Sequence, residues 1–150
     1  MATRKVLLVQ GPNLSYLGKR QPEIYGTTTA KELDAMITAH AAKQNCTLSI
    51  FYTHIEGQAI ERIYQALEEP IDGLLMNPAA FIYNAYALRD TLRTLPVPYV
   101  EVHISNIEKR GIPTILAAEA VGMICGFGMD SYVLGLDALL RHLDKKSNAR

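Results

Sequence analysis

The chain has 150 residues, of which 49% are apolar, and its 15 basic side chains balance its 15 acidic ones. This length suits a single domain spanning residues 1–150, and the lack of a basic surplus argues against nucleic acid or an anionic membrane as a partner. The apolar runs are shorter than the roughly 20 residues of a membrane span, and the N-terminus lacks the apolar region of a signal peptide. Cys46 and Cys125 lie in apolar stretches, which is typical of buried free thiols. Free thiols persist in the reducing cytosol, so we expect a cytoplasmic protein.

Five strand-like segments alternate with segments of helical periodicity. Strands are predicted at Lys5–Gln10, Thr47–Tyr52, Gly73–Met76, Tyr99–His103 and Gly122–Cys125. The first and third are almost wholly apolar, as strands covered on both faces are. Alternation with helices implies right-handed crossovers and a parallel sheet. We therefore expect an α/β domain of flavodoxin-like architecture, with strand order 2-1-3-4-5 and helices on both faces.

Helical periodicity is clearest near the two ends of the chain. Thr29 has the capping-box spacing to Glu32, so a helix is predicted to begin there, although Thr28 competes for the cap. Apolar residues at helical spacing then run from Leu33 to Ala41, and again from Tyr132 to Leu143. Further helices are predicted over residues 56–69, 84–94 and 115–121.

The segment from Gly11 to Thr28 breaks this rhythm, because it places about 18 residues between the first strand and the first helix. Connections in this fold usually take about 2–6 residues, and a loop longer than about 12 is commonly a lid or a binding loop. We expect a lid over a site, the alternative being plain surface decoration. The other irregular segment, the polar tail 144–150, is expected to fray.

Polar residues collect where the predicted strands end. Strands one, three and four lie side by side in the expected order, and they end in Gly11-Pro12-Asn13, Asn77-Pro78 and Glu101-Val102-His103. Ligands of open parallel sheets bind at this edge, near the point where strand order reverses. Glu101 and His103 point to one face of their strand, and a carboxylate beside an imidazole stabilises its protonated form. This arrangement suits His103 as a general acid or base, or else as a structural partner of Glu101.

The lid carries Arg20 and Tyr25 five residues apart. A free phenol is a poor base at neutral pH because its pKa lies near 10, and an adjacent guanidinium favours the phenolate. An Arg–Tyr lid that closes over a crevice can therefore deliver a base. An arginine that merely packs on the tyrosine and orders the loop fits the same two residues.

The residue spacing in this chain does not match that of the known phosphate-binding or metal-binding motifs. Gly11 and Gly18 are seven residues apart rather than the five of a P-loop, and Arg20 stands where Ser or Thr would bind magnesium. No Gly-x-Gly-x-x-Gly follows the first strand, which argues against a dinucleotide site. The remaining histidines have no spacing partners for a metal; they are His40, His54 and His142. We expect neither a metal nor a cofactor.

Several motifs occur together, in order, along essentially the whole chain. They are the lid from Val9 to Gly26, Glu56-Gly57, Asn77-Pro78, Ala87-Leu88-Arg89-Asp90, the run EVHISN from Glu101 to Asn106, and Gly126-Phe127-Gly128 with Tyr132. In these segments the chain resembles the type II 3-dehydroquinate dehydratases. The resemblance implies a cofactor-free anti-elimination of water from a cyclic β-hydroxy ketone. Tyr25, activated by Arg20, would remove a proton beside the ketone, and His103, oriented by Glu101, would protonate the departing hydroxyl.

The resemblance also implies ligands for the intermediate and for the substrate. A water between Asn13 and the turn at Pro12 and Asn77 would hold the enolate. The other substrate ligands implied are the backbone groups of Ile104 and Ser105 for a carboxylate, Asn77 for hydroxyls, Arg110 near the lid, and Asp90, which would reach a neighbouring subunit. Members of the family assemble as trimers grouped into a dodecamer, so a homo-oligomer acting on a small carboxylate is expected.

Two positions depart from the family pattern. Tyr83 stands where a substrate-binding histidine is expected, and Thr114 stands where an arginine is expected to bind a ring hydroxyl. These changes leave the acid, the base and the enolate site unchanged. Three hypotheses follow: a 3-dehydroquinate dehydratase with an altered pocket, serving the shikimate pathway or quinate catabolism; a lyase acting on a different cyclic hydroxy ketone acid; and a non-catalytic ligand-binding descendant.

Overall fold

A computed structural model describes residues 2–150. Its strands form one parallel sheet in the order β2-β1-β3-β4-β5. They are β1 Arg4–Gln10, β2 Cys46–Tyr52, β3 Gly73–Asn77, β4 Tyr99–His103 and β5 Gly122–Cys125. Every strand lies within one residue of its predicted bounds, and the predicted flavodoxin-like strand order is confirmed.

The helices, within the described chain, are α1 Pro22–Tyr25, α2 Ala30–Lys43, α3 Glu56–Glu68, α4 Phe81–Asn84, α5 Tyr86–Arg93 and α6 Asp130–Asn148. The predicted lid contains α1 and a 3₁₀ turn, Leu14–Tyr16, so it is folded rather than structureless. The helix predicted over residues 84–94 is interrupted at Ala85, whose ψ of 66° leaves the helical region and separates α4 from α5. The segment predicted as a short helix near residue 115 forms a 3₁₀ turn, Ala117–Glu119.

The strand residues alternate between two apolar clusters, one on each face of the sheet. Helices α2 and α6 cover the face formed by Val6, Leu8 and Leu75, while α3 and α5 cover the face formed by Leu7 and Leu74. Both central strands β1 and β3 are therefore buried on both sides over most of their length, which explains their unbroken apolar sequence.

Local signals set the start of α2 as predicted. Thr29 is the N-cap, and its Oγ1 accepts a hydrogen bond from the backbone N–H of Glu32 at 3.1 Å. The Thr29 hydroxyl also donates to the Glu32 carboxylate at 3.0 Å. The predicted cap is confirmed, and it orients the helix that follows the lid.

Helix α6 continues to Asn148, and the Arg4 guanidinium donates to Ser147 at 2.8 Å and pairs with Asp144 at 3.4 Å. The fraying expected of residues 144–150 stays a prediction. The expectation about the two thiols is corrected in part. Cys46 is buried as expected, but Cys125 is only partly buried because β5 is an edge strand. Within residues 2–150, no helix combines the length and apolar character needed to span a membrane.

Candidate active site

A cavity of about 190 Å³ opens at the carboxyl ends of β1, β3 and β4, the edge at which a crevice is predicted. The predicted site residues that line it are Asn13, Arg20, Tyr25, Asn77, Tyr83, His103, Ile104, Ser105 and Arg110. Two arginines and no carboxylate occur among the described residues of its wall. The electrostatics of the cavity therefore favour an anionic ligand.

The end of β1 lies unusually close to the end of β3. The Gly11 N–H donates to the carbonyl of Asn77 at 2.9 Å, and a Cβ at Gly11 would lie only 2.3 Å from the carbonyl oxygen of Pro78. A glycine is thus required where the two Pro-containing turns meet. Asn13, with a φ of 70°, then turns the chain into the lid, and its N–H donates to Nδ1 of His54 at 3.0 Å.

A buried hydrogen-bond network holds Asn77 on the α6 side of the sheet. Nδ2 of Asn77 donates to the Tyr132 hydroxyl at 2.8 Å, and that hydroxyl donates to Oε1 of Gln10 at 2.8 Å. Oδ1 of Asn77 accepts from the backbone N–H of Ala79 at 3.1 Å. Burial raises the pKa of Tyr132 above its ordinary value, so its hydroxyl remains a donor at neutral pH. The network therefore sets the orientation of the Asn77 amide before any ligand binds.

His103 lines the cavity and forms a buried pair with Glu101, which lies outside the cavity wall, on the opposite face of the sheet from this network. Nε2 of His103 lies 2.9 Å from Oε2 of Glu101, and the other carboxylate oxygen accepts from the Tyr99 hydroxyl at 2.7 Å. Glu101 is 0% exposed and His103 is 4% exposed. An ionised carboxylate can only accept hydrogen bonds, so Nε2 is the donor of this pair. Nδ1 is the ring nitrogen of His103 that is not committed to Glu101.

Tyr25 lies at the wall of the cavity, where the lid ends. The guanidinium carbon of Arg110 is 6.0 Å from the centre of the Tyr25 ring, and Arg110 also donates to Oγ of Ser105 at 2.9 Å. The arginine expected beside Tyr25 was Arg20; it lines the same cavity, but the guanidinium over the ring belongs to Arg110. Gln21, with a φ of 43°, turns the backbone between Arg20 and Tyr25. That Arg20 activates Tyr25 stays a prediction.

The two positions that depart from the family pattern have different surroundings. Tyr83 lines the cavity and its side chain is 57% exposed. Thr114, expected to face the substrate, lies outside the cavity wall: its Oγ1 accepts from the backbone N–H groups of Leu116 and Ala117, and so caps the 3₁₀ turn. Asp90 also lies outside the wall, and its carboxylate pairs with an arginine one turn along α5. The prediction that it reaches a second subunit stays a prediction.

The comparison with protein-family models decides between related folds that share this strand order. The model described as Dehydroquinase class II matches residues 4–140. The chain belongs to the class II dehydroquinase family. The match includes the lid, both Pro-containing turns and the Glu101–His103 pair.

Individual members of the family align along most of the chain. The 3-dehydroquinate dehydratase of Geotalea daltonii is 42% identical over 144 residues, covering 94% of this chain and 99% of its own length. The enzyme of that name from Syntrophotalea carbinolica is 45% identical over 138 residues, covering 90% and 93%. The crystal structure of type II dehydroquinase from Butyrivibrio crossotus has a TM-score of 0.87 at 33% identity, covering 91% of this chain and 97% of that chain. A 3-dehydroquinate dehydratase-like protein from Bifidobacterium longum gives 0.70 at 30% identity, covering 95% and 98%.

Two residues of this dehydroquinase-family site were missed by sequence reasoning. His54, for which the sequence indicated no contact, accepts a hydrogen bond from the backbone N–H of Asn13 and so supports that turn. Tyr99 was noted only as the start of a strand, yet it completes the hydrogen bonding of Glu101. The i, i+2 spacing of Tyr99 and Glu101 in a strand is a signal that was available, whereas nothing in the sequence joins Asn13 to His54. No group of three or more His, Cys, Asp or Glu side chains suited to a metal occurs within residues 2–150.

Proposed function

We propose that this protein is a type II 3-dehydroquinate dehydratase, which removes water from 3-dehydroquinate by anti-elimination and forms 3-dehydroshikimate. The observation that carries the proposal is His103, paired with the buried Glu101, in the wall of a cavity that Tyr25 also lines. This elimination needs a general acid and a general base that both reach the same bound substrate. Relatives that bear the name 3-dehydroquinate dehydratase match most of the chain and support the assignment.

In the first step, Tyr25 as its phenolate takes a proton from the carbon beside the ketone. The electrons of that C–H bond move onto the carbonyl and form an enolate. Arg110 lies over the Tyr25 ring and Arg20 lines the same cavity, so both place positive charge in the cavity where the proposed base acts. A water held between Asn13 and the Asn77 turn donates to the enolate oxygen and stabilises its charge.

In the second step, the electrons of the enolate re-form the ketone, and the adjacent C–O bond breaks as the C=C bond forms. His103 donates its proton to the departing hydroxyl, which leaves as water. Glu101 stabilises the imidazolium before this transfer and holds the ring in place. The cycle closes when Tyr25 releases its proton to solvent and His103 takes one up.

The substrate carboxylate binds beyond the end of β4. Ile104 and Ser105 line the cavity directly after His103, and their backbone N–H groups receive the carboxylate in this proposal. Arg110, which is tied to Ser105 Oγ at 2.9 Å, adds positive charge at the same place. Asn77, held by Tyr132, binds a ring hydroxyl.

A lyase acting on a different cyclic hydroxy ketone acid is the second candidate, and Tyr83 is the observation that favours it. A phenol ring in the wall of the cavity, at the position where the resemblance implies a histidine, changes both the size and the hydrogen bonding of the substrate pocket. Loss of one hydrogen bond to a charged partner costs about 1.5–3 kcal/mol. The acid and the base are the same in both candidates.

The test is an absorbance assay of the purified protein with 3-dehydroquinate, following the conjugated enone of the product. Turnover in the range of about 1–10³ s⁻¹ is expected. Tyr25→Phe and His103→Ala should each lower kcat by orders of magnitude while the folded structure is retained. Tyr16→Phe is the matched control for the lid, because Tyr16 lies in the same segment and is 59% exposed. Unchanged turnover in Tyr25→Phe would remove Tyr25 as the assigned base.

The substitution Tyr83→His separates the two lyase candidates. It should raise turnover of 3-dehydroquinate strongly if Tyr83 has adapted the pocket to another ring, and by less than about twofold if Tyr83 serves the present substrate. A folded wild-type protein with no turnover of 3-dehydroquinate would favour the second candidate directly.

The finer properties implied by the resemblance belong to this proposal. We expect a cytoplasmic, cofactor-free enzyme of the shikimate pathway or of quinate catabolism, assembled as a dodecamer of four trimers. Asp90, on the exposed side of α5, would approach the site of a neighbouring subunit. Analytical ultracentrifugation of the wild type and of Asp90→Ala tests both the assembly and this contact.

A further inference from the structure

Three side chains run in single file along one face of β4 and end at the cavity. The Tyr99 hydroxyl donates to Oε1 of Glu101 at 2.7 Å, and Oε2 of Glu101 lies 2.9 Å from Nε2 of His103. Tyr99 is 2% exposed and Glu101 is 0% exposed. We propose that Tyr99 is a positioning residue for the general acid, which acts by donating to Oε1 of Glu101 and so holding that carboxylate in the one orientation that fixes His103. This inference rests on the proposed role of His103.

The neighbours of Glu101 on the adjacent strands are apolar, so the hydrogen bond to Oε1 of its carboxylate comes from Tyr99. In the sheet, Glu101 lies between Met76 of β3 and Met123 of β5, and the apolar cluster around Tyr99 includes Leu88 of α5. A carboxylate in such a setting is costly unless its oxygens accept hydrogen bonds. Among residues 2–150, the titratable side chains that hydrogen-bond to it are Tyr99 at one oxygen and His103 at the other.

The direction of each hydrogen bond follows from the chemistry of the three groups. Burial, together with the negative charge of Glu101, raises the pKa of Tyr99 well above its ordinary value, so the phenol stays a donor. A carboxylate that accepts from Tyr99 at one oxygen accepts from Nε2–H of His103 at the other. Nδ1 of His103 is then the nitrogen that carries the proton for the substrate.

Removal of the Tyr99 hydroxyl should weaken the acid. Oε1 of Glu101 would lose its donor, and negative charge would concentrate on the carboxylate. The carboxylate would then hold the imidazolium of His103 more strongly, and the ring would release its proton less readily to the departing hydroxyl. Substrate binding should change little, since Tyr99 lies outside the cavity wall.

A double-mutant cycle tests the proposal by steady-state kinetics with 3-dehydroquinate. Tyr99→Phe in the wild-type background should lower kcat by about ten- to hundredfold with KM changed less than twofold. In a Glu101→Gln background, the same substitution should have no further effect on kcat, because the carboxylate through which Tyr99 acts is gone. An equal loss in both backgrounds would show that Tyr99 acts on the fold and would overturn the proposal.

A spectroscopic measurement keeps this test independent of the proposed substrate. In protein labelled with ¹⁵N-histidine, the ring nitrogens of His103 are assigned by their absence in His103→Ala. Tyr99→Phe should shift the Nε2 resonance of His103, and Tyr99→Met, which removes the same hydroxyl and fills the space with a flexible side chain, should shift it in the same direction. An unchanged resonance would refute the positioning role. A shifted resonance in a protein without dehydroquinate turnover would count against the proposed function alone.

Discussion

The backbone N–H of Asn13 donates a hydrogen bond to Nδ1 of His54 at 3.0 Å, which joins the first turn of the lid to the segment after β2. Asn13 holds a φ of 70°, a left-handed conformation that few side chains adopt without local support. The bond also assigns the tautomer of His54, because a ring nitrogen that accepts carries no proton. The exposed imidazole of His54 thus supports the backbone of Asn13, the residue that holds the enolate-binding water in the proposed mechanism.

Replacement of His54 should affect chemistry more than binding. His54→Ala removes the acceptor and should lower kcat about two- to tenfold, with little change in KM. His54→Asn is the matched control, because the Asn side-chain oxygen occupies nearly the position of Nδ1 and keeps the bond. Steady-state kinetics of both variants, with thermal melts to verify folding, give the answer. Equal kcat values for His54→Ala and wild type would show that Asn13 needs no support from His54.

The close approach of Gly11 to Pro78 predicts a strong effect of adding one methyl group. Gly11→Ala would place Cβ 2.3 Å from a backbone oxygen that cannot rotate away. We expect a loss of about 1–3 kcal/mol in the free energy of unfolding, measured with urea, together with most of the turnover. Gly57→Ala is the control, since nothing lies within 4 Å of its added Cβ and Gly57 is in α3, where alanine is the better helix former.

Thr114 should behave as a capping residue, not as a ligand. Its Oγ1 accepts from the N–H groups of Leu116 and Ala117 at 3.1 and 3.3 Å. Thr114→Val keeps the shape and removes the acceptor, so we expect a loss of about 1 kcal/mol in stability with an unchanged KM. Thr114→Ser keeps the hydroxyl and should restore most of the stability. A large rise in KM for Thr114→Val would mean that the hydroxyl reaches the substrate after all.

Two buried tyrosines and one partly buried tyrosine should limit stability at high pH. Burial is the main cause that raises the pKa of Tyr52, Tyr99 and Tyr132 above the ordinary value, and Asp34 adds to it at Tyr52. The unfolded chain ionises these phenols near pH 10, whereas the folded protein keeps them protonated. Their contribution to stability is therefore fully present below about pH 10 and is lost as the pH rises towards the folded-state values.

The measurement for this prediction is phenolate absorbance at 295 nm, followed together with circular dichroism. The chain has eight tyrosines. The absorbance of three phenolates should appear only as the ellipticity is lost. Tyr132→Phe should reduce that late step by one phenolate. A titration in which all eight ionise before any loss of ellipticity would show that the three hydroxyls are accessible in the native protein.

Sequence patterns were sufficient for the sheet and for the edge of the sheet at which the cavity opens. Central strands that are buried on both faces need an unbroken run of apolar residues. Helical segments instead repeat their apolar residues every three to four positions, so the two kinds of segment can be told apart. All five strands were predicted in this way. The N-cap of α2 was also predictable from the sequence, because Thr29 and Glu32 are only three residues apart. Glu101 and His103 are two apart in a strand, so local geometry alone brings them together.

Other features depend on packing between distant parts of the chain. Asn13 and His54 are 41 residues apart, and Asn77 and Tyr132 are 55 apart, so no local period links either pair. The same holds for Arg110 and Tyr25, which are far apart in the sequence and meet only in the folded protein. The sequence by itself determined the strands, the edge of the sheet where the cavity opens and the pairing of Glu101 with His103. Which side chains support that site was decided by the tertiary structure, since hydrogen bonds at about 3 Å require helices, turns and sheet to be in place together.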